Sequence, residues 1–125
     1  MALDERIRAG VPVACLTRYQ NLIAHEGLKY HGIYYFVPNL LNHFDTEAVL
    51  ALIAPRPILL LNGGQDDGSP ADGIALIEAK VRPAYALYGA ATHFQSEVYP
   101  GVGHQYLPPM WQKTLSWFDQ HLKSP

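Results

Sequence analysis

The chain has 125 residues, 49% of them hydrophobic, with nine basic and eleven acidic side chains and a formal net charge of −2. That length accommodates one compact core, which at this size buries about two thirds of the surface of the unfolded chain. The charges are scattered, so there is no basic face for nucleic acid or anionic lipid, and no run approaches the roughly 18 apolar residues of a membrane span.

The opening "MALDERIRAG" is charged and has no apolar stretch of the kind that opens a secretory leader, which reads as a cytoplasmic location. Residues 6–16, "RIRAGVPVACL", are β-branched and apolar at the far end, with Gly10 and Pro12 inside them, and predict a strand with an irregular middle or an exposed edge. The lone Cys15 excludes an internal disulfide, and its apolar neighbours predict a small buried thiol. Residues 17–44 follow neither a helical nor a strand period and carry Tyr30, Tyr34, Tyr35 and Phe36 close together. They predict a long irregular excursion with a helical turn or two.

Asp45 and Thr46 supply a helix start for "TEAVLALIA", which Pro55 ends. "PILLLNGG", residues 57–64, is a continuous apolar run closed by glycines, the pattern of a parallel strand buried on both faces. Ser69 as N-cap and Pro70 at the first position open a helix that runs to about Gly89, with Pro83 expected to kink or split it. "HFQSEVYPG", 93–101, alternates as a strand does. "PPMWQKTLSWFDQHL", 108–122, predicts an amphipathic helix with Met110, Leu115, Trp117, Phe118 and Leu122 available to its apolar stripe and Trp111 in the core with them. Strands alternating with helices predict an α/β fold, a three-layer αβα sandwich on a short parallel sheet, in one domain over residues 1–125.

In parallel sheets ligands bind beyond the carboxyl ends of the strands. The loop after residues 57–64 carries Asp66 and Asp67, and the loop after residues 93–101 carries His104, so a carboxylate and an imidazole share one rim. A carboxylate accepting from one ring nitrogen of His104 would fix its tautomer and leave the other nitrogen as a general base. His25, His31, His43 and His93 invite a metal reading, but their spacings match neither helical pairs nor zinc knuckles and no cysteine joins them, so no metal and no cofactor is expected.

The pattern "GGQDDGSP" at 63–70, "APRP" at 54–57 and "YPGVGH" at 99–104 resemble, in that order, the C-terminal half of the α/β-hydrolase fold. The nearest likeness is to serine esterases of the dienelactone hydrolase and acetyl xylan esterase kind, related more distantly to prolyl oligopeptidases. "LDERIRAG" resembles the strand that follows that family's nucleophile helix. The resemblance implies Asp66 as the acid and His104 as the base of a Ser-His-Asp triad, with Asp67 as the alternative acid, acting on a small-molecule ester. The sequence contains no G-x-S-x-G, and Ser69, Ser96, Ser116 and Ser124 do not sit on a glycine-flanked turn. By the family pattern the nucleophile and the oxyanion hole are expected upstream of Met1, and the chain is expected to be inactive alone. The alternative is a noncatalytic assembly module whose sheet edge at residues 6–16 pairs with a second copy or with a complementing N-terminal half.

Overall fold

The computed structural model describes residues 1–123, so Ser124 lies outside the described residues. Two strands, β1 (Ile58–Gly63) and β2 (Phe94–Tyr99), pair in parallel, with Ile58 opposite Phe94 and Gly63 opposite Tyr99. The irregular excursion contains α1 (Tyr19–Ala24) and three short 3-10 turns at Gly27–Tyr30, Ile33–Tyr35 and Leu40–Asn42. Helix α2 (Thr46–Ala51) precedes β1, α3 (Ala71–Leu87) links β1 to β2, and α4 (Pro108–Leu122) closes the chain.

All six residues of β1 are buried. Successive strand side chains point to opposite faces, so Ile58 and Leu60 pack against Leu50 of α2 and Ile74, Ile77, Val81 and Tyr85 of α3, while Leu59 and Leu61 meet Met110 and Trp117 of α4. These are the three layers that the alternation of elements predicts. The continuous apolar run of β1 is what a strand covered on both sides requires.

Residues 10–14 run parallel to β1 on the side away from β2, as an edge ribbon joined by bridges at Gly10 and Val13 in place of a full strand. Gly10 donates to Pro57 and accepts from Leu59, the Pro12 carbonyl accepts from Leu61, and Ala14 donates back to Leu61. In that register residue 12 would donate to the Leu59 carbonyl, and proline has no N–H to give. The irregular strand expected at 6–16 is therefore a ladder with one rung missing. Cys15 at its far end is exposed, a correction to the buried thiol. Partial burial still pushes its thiol above the usual cysteine range.

Asp45 begins α2 by accepting from the Thr46 N–H at 2.7 Å, and the same carboxylate accepts from Tyr19 and Gln20, the first residues of α1, at 2.9 and 3.0 Å. One buried acid thus satisfies orphan donors of two helices. Three expectations are corrected. Pro70, not Ser69, holds the N-cap position of α3, with an extended backbone, and the Ser69 hydroxyl is buried without a partner. Helix α3 runs through Pro83 unsplit, with Pro83 exposed. On α4 the buried stripe is Met110, Thr114 and Trp117, whereas Leu115, Leu122 and Trp111 are exposed. The Trp111 ring stands edge-on to Tyr106.

Candidate active site

Parallel pairing in this register brings the carboxyl ends of β1 and β2 to one side, and the loops that follow are knitted together. The Gly64 N–H donates to the Tyr99 carbonyl at 2.9 Å and the Gln65 N–H to the Val102 carbonyl at 2.8 Å. Gly63 is required by the close approach, because a Cβ there would lie 2.3 Å from the Val102 oxygen and 2.2 Å from the Gly103 oxygen. Gly101 has φ +74°, in the left-handed region that glycine enters at little cost. A Cβ on Gly103 would make only an ordinary contact, with Gln65 at 3.6 Å, so the left-handed turn of the base loop rests on Gly101.

On this frame His104 Nδ1 lies 2.9 Å from Asp66 Oδ2. The Asp66 carboxylate is 2% exposed, and its other oxygen accepts from the Gly68 N–H at 2.9 Å. A carboxylate only accepts, so Nδ1 carries the proton and, in the neutral ring, Nε2 has a free lone pair. The His104 side chain is 73% exposed, which leaves Nε2 open to a reacting group. Asp67 is exposed and accepts from the Tyr30 hydroxyl at 3.3 Å. Of the two candidate acids, Asp66 is the one paired with the imidazole.

A cavity of about 330 Å³ opens beside the pair, lined by Tyr30, His31, Gln65, Asp67 and Gly68. A second, of about 400 Å³, shares Tyr30, Gln65, Asp66 and Asp67 with it and extends to His25 and Asp72. The aromatic excursion divides its work between these walls and its own packing. Tyr30 and His31 reach the site, Tyr19, Tyr35 and Phe36 pack on one another, and Ile33 and Tyr34 point to solvent.

Three of the other histidines have separate partners. His25 meets Asp72 at 3.1 Å, His43 is near Asn39, and His93 Nδ1 lies 2.8 Å from the Pro55 carbonyl. Burial would raise the Asp72 carboxyl, but the hydrogen bonds from His25 and Asn21 outweigh it and hold it below the usual range. Among the described residues no three His, Cys, Asp or Glu side chains are grouped to hold a metal ion. In the sequence, "YHGIYYFVP" at 30–38, which holds Tyr30 and His31, reads either as a pocket wall or as core packing, and Gln65 and Gly68 have no signal. The excursion that delivers Tyr30 and His31 has no periodicity that would place them.

No family model matches the chain. Ninety of its residues, 72% of the chain, are 42% identical to a Bacillus subtilis (strain 168) protein named "Putative hydrolase YtaP", and they span 30% of that protein. Among solved structures, the methylesterase BT1017 superposes with a TM-score of 0.67 at 22% identity, over 94% of this chain and 25% of that one. A carbohydrate esterase family 15 glucuronoyl esterase from Caldicellulosiruptor kristjansonii gives 0.71 at 18% identity, over 97% of this chain and 38% of that one. The glucuronoyl esterase from Solibacter usitatus gives 0.66 at 17%, over 98% and 38%. The chain thus spans well under half the length of each of these four proteins. At these identities the superpositions establish architecture, and over the described residues the chain has the C-terminal part of the α/β-hydrolase fold.

Proposed function

We propose that the chain supplies the acid–base arm of a serine-type carboxylic ester hydrolase. The observation that carries this reading is the buried Asp66 carboxylate 2.9 Å from Nδ1 of an otherwise open His104. In the reaction, Nε2 of His104 takes the proton of a serine hydroxyl as that oxygen attacks the ester carbonyl, and Asp66 stabilises the imidazolium. The proton then passes to the leaving alcohol as the C–O bond breaks. Water repeats the sequence on the acyl-serine and returns the enzyme.

The serine and the oxyanion donors come from outside these residues. Ser69 and Ser96 have buried hydroxyls, and Ser116 is on the exposed face of α4. A small-molecule ester is the substrate class; the names of the superposing esterases support it.

The test is a chimera in which this chain replaces the matched region of the Bacillus subtilis relative, assayed on p-nitrophenyl acetate beside that relative and beside this chain alone. Turnover is expected from the chimera, none above background from the chain alone. His104→Ala and Asp66→Ala should each lower chimera turnover on the order of a thousandfold, and Asp67→Ala should leave it within about twofold. A folded chimera whose turnover is indifferent to His104→Ala would sink the reading.

A second reading, assembly through the sheet edge, is favoured by the open outer edge of the ribbon at residues 10–14. The outer edge of the 10–14 ribbon offers Val11 and Val13, whose N–H and C=O groups have no backbone partner among the described residues. Unpaired, uncharged strand edges recruit other strands.

A further inference from the structure

We propose that His31 is a positioning residue for the Asp66–His104 pair. This rests on the ester-hydrolase reading for its functional meaning, but its geometry stands on its own. His31 Nε2 lies 2.7 Å from the Gly68 carbonyl oxygen, and a carbonyl can only accept, so Nε2 carries the proton and donates. The N–H of that same Gly68 is the donor that holds Asp66 Oδ1.

Gly68 is thus gripped at both ends, by His31 through its carbonyl and by Asp66 through its amide. A Cβ built on it would be tight against Asp66 Oδ1, at 3.3 Å, and in ordinary contact with His31 Nε2, at 3.5 Å. With Oδ2 directed to His104, Asp66 has one hydrogen bond, from Gly68, to set its rotation.

The His31 ring is itself fixed. It stacks on Tyr35 with ring centroids 4.2 Å apart and planes 19° from parallel. The Tyr35 hydroxyl donates to the Cys15 carbonyl at 3.1 Å, and the Tyr35 carbonyl accepts from the Tyr19 hydroxyl at 2.5 Å. A continuous chain of contacts therefore runs from the end of the edge ribbon through Tyr35, His31 and Gly68 to Asp66. The excursion, which supplies no group to proton transfer, braces the acid loop.

The test reads His104 directly, by two-dimensional imidazole NMR of the full chain labelled with ¹⁵N-histidine, which reports the tautomer of each ring. In the wild type His104 should be in the Nδ1–H form. His31→Phe keeps a ring to stack on Tyr35 and removes the donor, and it should lower the ratio of Nδ1–H to Nε2–H at His104 roughly fivefold, the loss of one ordinary hydrogen bond. His31→Gln keeps a donor and should retain the wild-type ratio. Thermal unfolding of both variants, with Asp66→Asn as the reference for a pair fully broken, separates a local effect from loss of the fold.

A His31→Phe spectrum identical to wild type overturns the proposal. Equal loss in His31→Gln also overturns it, because the ring's shape and not its donor would then hold the loop. A wild type already in the Nε2–H form would remove the pair itself, and the ester-hydrolase reading with it, so the two failures are distinguishable.

Discussion

Asp66 and Asp67 are the same side chain one position apart, and packing alone separates their roles. Asp66 is turned inward, with both oxygens occupied by Gly68 and His104, while Asp67 faces solvent and touches Tyr30. The sequence placed both on the rim, since each follows a buried strand closed by glycines, and it could not choose between them without the likeness to known hydrolases. His104 was legible for the same reason, from a strand, a left-handed Gly101 and a helix opened by Pro108. His31 was not. His31 lies in the aperiodic stretch, its partner Gly68 is 37 residues away, and no local signal joins them. Gly63→Ala is the sharpest residue-scale prediction. The added methyl meets backbone oxygens of Val102 and Gly103, which have no rotamer to give way, so urea unfolding should show a loss of about 3 kcal/mol and the His104 NMR signal should shift.

At the scale of elements, Asp45 does more than its neighbours in the sequence announce. Its role at the start of α2 follows from "DTEAV", but its two bonds to α1 join segments far apart in the chain and had no signature. Burial would raise the Asp45 carboxyl, yet the N–H groups of Gln20, Thr46 and Tyr19 and the charge of Arg18 outweigh it and hold it below the usual range. Glu47 is likewise lowered against its burial by Lys80 and Arg18. Both folded values lie below those of the unfolded chain, near 3.8 and 4.5. Their contribution is therefore complete above pH 4.5 and is lost as pH falls through the folded values. Unfolding free energy should drop below pH 4.5, and Asp45→Ala should flatten that slope while costing about 2 to 3 kcal/mol at pH 7, from the caps it removes. An acid limb unchanged in Asp45→Ala would show that the loss originates elsewhere. Helix α4 teaches the converse lesson. Its periodicity located it correctly, but Leu115, Leu122 and Trp111 are exposed where Thr114 is buried, because its contact with β1 is narrower than the apolar residues available to it.

For the whole molecule, the layers and their order were readable because β1 is apolar on both faces and helices alternate with strands. What composition could not show is that the ribbon at residues 10–14 leaves the outward amides of Val11 and Val13 without a backbone partner among the described residues. That edge sets the expectation for solution behaviour: sedimentation velocity should show concentration-dependent association of the chain, suppressed when Val11→Lys places a charge on the ribbon edge. A sharp monomer boundary at high concentration would remove the assembly reading.

The knitting of the two loops through Gly63 has a further consequence. Because the acid and base loops meet backbone to backbone, Asp66 and His104 acquire their separation when the chain folds and not when a substrate arrives. The conformational entropy of bringing the base to its acid is lost once, in folding. A nucleophile docking from elsewhere would encounter a finished proton acceptor, so the timing of any chemistry would be set by the arrival of the serine and not by the readiness of the histidine.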